Sequence, residues 1–368
     1  MEDYVFEDVL AGSTVTCGFP GLDTRVAAAD GPRRARTLFF PGCSLINYAL
    51  PLVKAVYDLL AQAGRVEGIS LLCCGKILSF EPDGKAVRAA FEDELCAHVA
   101  AAGVERIVAA CPNCVAALRG ALAEDERTAG VEVVPLPLEL EALGYRVDAE
   151  VAKRLLAAEL EAGAAFYEVC AEGARPPLRF SVHDSCPDRA TGEFADGLRA
   201  LMPAELAVEP AHARRSSQCC GSLVRAAGHA DKALEQSQAR GAEAVAAGGS
   251  AIVAACVSCS FLLSVSQWRV PVFHYLELLF DWRVDWAHAS QYMKLRFLFD
   301  DVPDAEASGR AFVGLEGADD GCKGVPAAAR SQGSAAAAAG APVDADDGCG
   351  KDGGAPARPG KDEADGRG

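Results

Sequence analysis

The sequence predicts an α/β protein built from two duplicated halves, followed by a disordered tail. Short apolar runs alternate with helical stretches, which favours parallel sheets with helices on their faces. One cysteine pattern occurs twice at an almost constant offset, which indicates an internal duplication. The chain after residue 301 is rich in Ala, Gly and Asp and has few large apolar side chains. We therefore expect two Rossmann-like halves related by a pseudo-twofold axis.

Four segments follow from this pattern. Residues 1–35 contain Gly-Phe-Pro-Gly and Gly-Pro-Arg-Arg, and we predict an irregular N-terminal segment there. Residues 36–148 form the predicted first half, and residues 149–300 form the predicted second half. Residues 301–368 form the predicted tail, which is acidic, of low complexity and disordered.

The elements of the first half are predicted from its apolar periodicity. Residues 37–40 are an apolar run closed by Pro41-Gly42, which is typical of a buried strand. Helical spacing predicts a helix over 45–63, with Pro51 in its first turns or at a kink. The remaining predicted elements are a strand over 66–72, a helix over 85–102, and strands over 104–110 and 131–136.

The second half repeats this alternation after a charged helical stretch over 149–172 and a break at Arg175-Pro176-Pro177. In an open parallel sheet the carboxyl ends of the strands share one edge, where ligands usually bind. Side chains that follow these strands are therefore expected to meet. The predicted elements are strands over 178–183, 250–255 and 270–274 and helices over 230–247, 275–280 and 287–299.

Composition limits the class of function. The chain has 368 residues and a formal net charge of −17, which argues against a general nucleic-acid binder, since such proteins need basic patches. The longest apolar stretch, residues 251–265, is shorter than the roughly 20 residues of a membrane span. The N-terminus is acidic where a secretory signal would be basic, so we expect a cytoplasmic protein with no transmembrane segment.

Fifteen cysteines are the most informative feature of the composition. We interpret Cys17, Cys96 and Cys170 as small buried side chains, and Cys322 and Cys349 as exposed bystanders in the tail. The other ten form two matching sets, whose equivalent members lie 143 to 146 positions apart. The first set is Cys43, Cys73, Cys74, Cys111 and Cys114. The second set is Cys186, Cys219, Cys220, Cys256 and Cys259.

The two sets are predicted to follow strands and to precede helices. Helix N-termini offer free N–H groups and partial positive charge, which favour thiolate. Thiolates are soft ligands that select zinc, copper(I) or iron–sulfur clusters. We expect Gly75 and Gly221, directly after the vicinal pairs, to let the backbone approach the sulfurs.

Three chemistries remain open for these cysteines. A structural zinc site uses four ligands, whereas each set offers five, including a vicinal pair that would strain one tetrahedral ion. A redox-active vicinal disulfide would leave three cysteines of each set without a role. A multi-iron cluster has enough metal atoms for five thiolates and spreads their charge, so iron–sulfur chemistry is the favoured hypothesis.

The pattern resembles the cysteine-rich CCG domain family, which includes the CCG-containing subunit of heterodisulfide reductase and iron–sulfur subunits of lactate and glycolate oxidation. Phe40-Pro41-Gly42-Cys43 and His183-Asp184-Ser185-Cys186-Pro187 are similar to the family's lead-in to each repeat. The resemblance implies that each set ligates one 4Fe-4S cluster of the noncubane type. Two departures stand out, namely a shorter first interval and a tail foreign to the family.

The resemblance also implies a function. We expect an iron–sulfur oxidoreductase subunit, similar to the CCG-containing subunit of heterodisulfide reductase, that reduces a disulfide or related acceptor with electrons from a partner subunit. The alternative is a non-catalytic electron-transfer subunit of a flavin-linked 2-hydroxy-acid dehydrogenase of the lactate or glycolate type. No Gly-x-Gly-x-x-Gly fingerprint follows a predicted strand and no ferredoxin-like run of four close cysteines occurs. The expected partners are therefore a ferredoxin-like iron–sulfur subunit, a flavoprotein subunit, or both.

Side chains near the cysteines in sequence are candidates for tuning the clusters, although no catalytic residue is identified among them. Lys76, Arg189 and Arg225 are hypothesised to offset cluster charge, the alternative being ordinary surface cations. His183 and His274 each end a predicted strand, where a role in proton delivery competes with a purely structural one.

Overall fold

The computed structural model describes residues 3–18, 24–28, 33–80, 83–284 and 286. The elements up to the end of the first half are β1 (Asp3–Asp8), β2 (Ser13–Gly18), β3 (Thr24–Ala28), β4 (Thr37–Phe40), α1 (Cys43–Gln62), β5 (Gly68–Ile69), α2 (Gly84–Ala102), β6 (Arg106–Ala109), α3 (Pro112–Glu124), β7 (Glu132–Pro135) and α4 (Leu136–Ala142). The elements that follow are α5 (Ala149–Ala162), β8 (Phe180–His183), α6 (Glu193–Leu201), β9 (Ala207–Val208), α7 (Ser222–Ala226), α8 (Ala230–Ala246), β10 (Ala251–Ala254), α9 (Val257–Ser266), β11 (Val272–His274) and α10 (Tyr275–Leu279).

The two halves have the same sheet topology. In the first half the strands run in the order β5-β4-β6-β7, and in the second half in the order β9-β8-β10-β11. Every pair within these eight strands is parallel. The predicted α/β class, with two similar halves that each hold a parallel sheet, is confirmed. The chain connects β4 to β5 on one side and then crosses to β6 on the other side, and it does the same from β8 to β9 and then to β10. The topological switch points therefore lie between β4 and β6 and between β8 and β10, and open sheets bind ligands at such points.

The N-terminal segment is not irregular, so this part of the prediction is wrong. β1, β2 and β3 form an antiparallel meander, and β1 joins the first sheet in parallel with β5. Phe6, Val15 and Cys17 point inward and are buried, while Val5 on the opposite face of the pleat is exposed. Such alternation is typical of a half-buried strand, and Gly12 makes the turn with a φ of +58°.

Most other predicted elements exist with shifted ends. The strand predicted over 66–72 pairs only at Gly68–Ile69, because the chain then leaves the sheet toward Cys73. The helix predicted over 149–172 ends at Ala162, and a separate 3-10 turn follows at Glu168–Gly173. Pro51 lies inside α1, where Ala49 has non-helical dihedrals and marks the predicted kink. The helix predicted over 287–299 and the predicted tail lie outside the described residues.

A buried glutamate follows the last strand of each half. Glu139 accepts from Arg106 at 2.6 Å, and Glu277 accepts from Arg283 at 2.7 Å. Glu277 also accepts the backbone N–H groups of His274 and Val284, while its burial raises its pKa to about 7. The repeated Leu-Glu-Leu sequence therefore marks a repeated structural feature, a buried carboxylate paired with arginine, and in the second half this carboxylate also fixes the start of α10.

The halves pack directly on each other through α1 and α9. Tyr48 and Phe261 stack with ring centroids 4.6 Å apart, and the hydroxyls of Ser44 and Ser258 are 2.8 Å apart. Arg119 of α3 reaches both carboxylate oxygens of Glu193 at the start of α6. These contacts hold the first turns of α1 and α9, which begin beside cysteines of the two sets, against each other.

One helix of the described chain meets the length and composition of a membrane span. It is α1, Cys43–Gln62, and just over half of its most apolar window is buried inside the protein. Core helices of water-exposed domains pass the same test, so this finding is weak evidence for a membrane segment.

Candidate metal centre

The first set of cysteines gathers at the carboxyl ends of β4, β5 and β6. Cys43 opens α1 three residues after β4, and Cys111 is the N-cap of α3, with Cys114 in its first turn. The vicinal pair Cys73-Cys74 lies in the loop after β5. The Sγ atoms of Cys43 and Cys73 are 3.9 Å apart.

Sulfur contacts within the first set shift its thiol pKa values in opposite directions. Contact with Cys43, and then with Cys74, raises the pKa of Cys73. Contact with Cys114, and then with Cys73, lowers the pKa of Cys74. Cys111 has a lowered pKa because Cys114 and other hydrogen-bond donors face its sulfur, among them backbone N–H groups of the first turn of α3. Neighbouring thiols therefore do not all ionise together, since adjacent thiolates repel each other.

The second set repeats this arrangement. Cys186 begins a 3-10 turn after β8, Cys256 is the N-cap of α9, and Cys259 lies in the first turn of that helix. The Sγ atoms of Cys186 and Cys219 are 3.9 Å apart, and those of Cys220 and Cys259 are 3.2 Å apart. All members except Cys186 and Cys219 are buried.

The two sets touch at Cys111 and Cys256. Contact with the Cys111 sulfur is the main cause of the raised pKa of Cys256, and Cys256 in turn helps to lower the pKa of Cys111. Followed from Cys43 to Cys186, every one of the ten sulfurs contacts another member. We call this continuous run the sulfur chain. It runs in the order Cys43, Cys73, Cys74, Cys114, Cys111, Cys256, Cys259, Cys220, Cys219 and Cys186.

A comparison with models of protein families agrees with this geometry. The model of the cysteine-rich CCG domain matches residues 37–119 and again residues 180–264, and the two matches include all ten members of the sulfur chain. The chain contains two CCG domains. Their cysteine clusters fit an iron–sulfur redox role. No curated protein matches the chain at a significant level.

The expected approach of the backbone to a sulfur is found at Gly221, whose N–H donates to Cys219 Sγ at 3.3 Å. Gly75 and Gly221, the glycines of the CCG motif, also serve helix packing. Both have positive φ values, +72° and +103°. A Cβ on Gly75 would lie 2.5 Å from the ring of Phe91, and one on Gly221 would lie 2.7 Å from the backbone of Ala233. The vicinal pairs therefore sit in turns that press against α2 and α8.

Gly42 is the glycine that touches the sulfurs of the first CCG domain, and sequence reasoning missed its role. Its φ is +80°, and an added Cβ would lie 2.8 Å from Cys114 Sγ and 3.3 Å from Cys111 Cβ. The sequence signal for this role is Pro41-Gly42-Cys43 at the end of the strand. A glycine at that place permits both the left-handed backbone and a close approach of the backbone to the sulfur.

The Gly42→Ala variant is expected to lose metal from the first CCG domain, because the new methyl group displaces Cys114 Sγ. The resemblance implies one four-iron cluster per domain, and on that expectation iron should fall from about eight to about four per chain. Gly103→Ala is the matched control, since Gly103 has a φ of +71° and nothing described lies within 4 Å of its new Cβ. Equal iron contents in the two variants would show that the space beside Cys114 Sγ does not determine metal binding in the first CCG domain.

A cavity opens beside the first set and is shared by both CCG domains. Its volume is about 100 Å³, and all five cysteines of the first set line it. Lys76 also lines it, and α7 and α9 of the second domain contribute Ser222, Arg225, Ser258 and Phe261. The cavity therefore joins cysteine sulfurs of one domain to cationic and hydroxyl side chains of both.

The remaining candidate residues have different surroundings. Lys76 and Arg225 both face the cavity, whereas Arg189 donates to the Ser217 carbonyl at 2.7 Å and so braces the loop before Cys219. His183 and His274 are buried, and burial lowers the pKa of each imidazole to about 4. An imidazole with so low a pKa lacks the acidic second proton of an imidazolium at neutral pH, so a binding or structural role suits both residues better than proton delivery.

The residues present fit iron–sulfur chemistry. Ten sulfur donors in contact exceed the four ligands of a structural zinc ion. Among the buried polar atoms that have no hydrogen-bond partner in the described residues are His183 Nε2 and Ser185 Oγ, and both lie within three residues of Cys186. Because buried polar atoms nearly always have a partner, their environment suits a bound group.

The cysteines outside the sulfur chain have ordinary core surroundings. Cys17, Cys96 and Cys170 are buried, as expected. Cys96 Sγ faces the Ala121 carbonyl at 3.6 Å, and Cys170 Sγ faces the Leu160 carbonyl at 3.7 Å. The prediction that these three pack as small buried residues is confirmed. Cys322 and Cys349 lie outside the described residues.

Proposed function

We propose that this chain is an iron–sulfur oxidoreductase subunit in which each set of five cysteines holds one 4Fe-4S cluster. In this proposal the chain reduces a disulfide or a related acceptor with electrons from a partner subunit. The observation that carries the proposal is the sulfur chain, which runs without a break through both CCG domains. When bound, such clusters accept and pass on single electrons.

The protein's own contribution is to stabilise thiolate and to hold the sulfurs in place. Cys111 and Cys256 sit at helix N-caps, where the helix dipole favours negative charge. The backbone N–H of Gly221 donates to Cys219 Sγ at 3.3 Å, and that of Ser222 donates to Cys220 Sγ at 3.4 Å. Hydrogen bonds of this kind tune the reduction potential of sulfur-ligated metal centres.

The cavity supports an acceptor that binds at the first set. Reduction of a disulfide breaks its S–S bond, consumes two electrons and two protons, and yields two thiols. Clusters held by the two sets of cysteines would supply these electrons, and Lys76 and Arg225 would provide positive charge beside the cysteine sulfurs that line the cavity. An electron donor has to come from another chain, since no dinucleotide fingerprint follows a strand. We propose a ferredoxin-like or flavoprotein subunit for this task.

A specific observation favours a second candidate function. Cys186 and Cys219 are partly exposed, so the second set reaches the protein surface while most of the first set is buried. Sulfurs at the protein surface suit electron exchange with a docked partner. A chain that only passes electrons from a flavin-linked 2-hydroxy-acid dehydrogenase would use these two partly exposed cysteines and would not need the cavity.

Anaerobic purification with iron, acid-labile sulfide and zinc analysis tests the proposal. Two four-iron clusters predict about eight irons per chain, together with sulfide and an EPR signal on reduction. Zinc in stoichiometric amount without sulfide would contradict the iron proposal. The reduced protein is then mixed with a series of disulfides. Release of thiols supports reductase activity, whereas a cluster-loaded protein that releases none would favour the electron-transfer candidate.

A further inference from the structure

His183 is a buried histidine that faces the second set. It is the last residue of β8 and is 8% exposed, and its Nε2 atom has no hydrogen-bond partner among the described residues. A ring nitrogen of His183 and the Sγ atoms of Cys220 and Cys259 all lie within 4.8 Å of one another. An imidazole nitrogen and two sulfurs thus surround one small volume.

The first CCG domain has no equivalent donor. Phe40 ends β4 and precedes Cys43 by three residues, as His183 ends β8 and precedes Cys186 by three residues. Both side chains are buried in comparable positions of the duplicated sheet. A phenyl ring offers no lone pair, so of these two equivalent positions only His183 provides a nitrogen donor.

The spacing of the three donors suits a shared metal ion. Metal–sulfur bonds near 2.3 Å and metal–nitrogen bonds near 2.0 Å place donors of a tetrahedral ion roughly 3.5 Å apart. Cys220 and Cys259 already meet this spacing with their sulfurs 3.2 Å apart. A ring nitrogen of His183 lies within 4.8 Å of both sulfurs, which is close to this spacing.

We propose that His183 is a nitrogen ligand of the metal centre in the second CCG domain, where it would bind together with Cys220 and Cys259. This inference rests on the proposed iron–sulfur function. The two centres of the chain are then chemically different, with sulfur ligation in the first domain and mixed nitrogen and sulfur ligation in the second. Imidazole ligation changes the electronic structure of an iron–sulfur centre.

Pulsed EPR on the full chain, loaded anaerobically and labelled with ¹⁵N-histidine, tests this ligand directly. We expect a strong ¹⁵N hyperfine coupling at one of the two centres in the wild type. His183→Phe copies the first domain and should abolish the coupling, with the spectrum of the other centre unchanged. His183→Gln gives a second variant with a polar side chain in case the phenyl ring disturbs folding. His98→Gln is the control and should keep the coupling, because the His98 ring faces the Leu10 carbonyl at 2.7 Å and not a sulfur.

The outcomes separate this inference from the proposed function. Only a weak coupling that disappears in His183→Phe would mean a hydrogen bond to cluster sulfur, and it would overturn ligation. A coupling that survives in both His183 variants would overturn it as well. In either case iron and sulfide contents near those expected would leave the proposed function intact. A preparation without iron and sulfide would overturn both proposals together.

Discussion

The Cys74→Ser variant should bind about four irons per chain where the wild type binds about eight, with the EPR signal of one centre lost. Cys74 lies in the middle of the first set, where its pKa is set by contacts with Cys114 and Cys73. A serine hydroxyl stays protonated and is a poor ligand for iron, so the first centre loses a bridging position within its sulfur network. Cys220→Ser is the equivalent change in the second domain and should remove the other signal.

Cys96→Ser is the matched control for both variants. Cys96 is also buried, but it lies apart from the sulfur chain with its Sγ toward the Ala121 carbonyl. It should therefore keep the full iron content, although it loses some packing. Loss of all iron from Cys74→Ser would contradict two separate centres and would indicate one joint centre connected through Cys111 and Cys256. Unchanged iron would exclude Cys74 as a ligand.

The alternation of strands and helices was predictable because each half buries its strands on both faces. Continuous apolar runs such as Leu38-Phe39-Phe40 and Ile107-Val108-Ala109 are fully buried, and they carry the pattern of a parallel sheet. The N-terminal meander was missed although its signal was present. Tyr4 to Phe6 and Thr14 to Cys17 are short strand-forming runs on either side of Gly12, which is typical of a hairpin.

The members of the candidate site were predictable from spacing, but their joint arrangement was not. Duplication placed five cysteines in each half, and the sheet topology brought each five to one edge. The contact between Cys111 and Cys256 depends on how α1 and α9 pack, through Tyr48 and Phe261. Such packing between halves leaves no periodic signal in the sequence. The orientation of His183 toward Cys220 is likewise a property of the folded loops.

Arg199→Ala should lower the free energy of unfolding by about 3–5 kcal/mol, because it leaves a buried carboxylate without its cation. Arg199 donates to both carboxylate oxygens of Asp184, at 2.8 and 2.9 Å, and the Asp184 side chain is only 2% exposed. The backbone N–H of Arg214 remains as a donor to that carboxylate. Anaerobic denaturant titration of variant and wild type measures the change as a shift of the midpoint.

The second metal centre should weaken in the same variant, since Asp184 lies between His183 and Cys186 and holds that turn. Asp184→Asn combined with Arg199→Ala removes the unpaired charge, so the double variant should recover part of the lost stability. Arg154→Ala is the control, because its pair with Asp281 has both side chains more than half exposed and contributes under about 1 kcal/mol. A double variant less stable than Arg199→Ala alone would mean that the pair acts through shape and packing, and the charge argument would then be wrong.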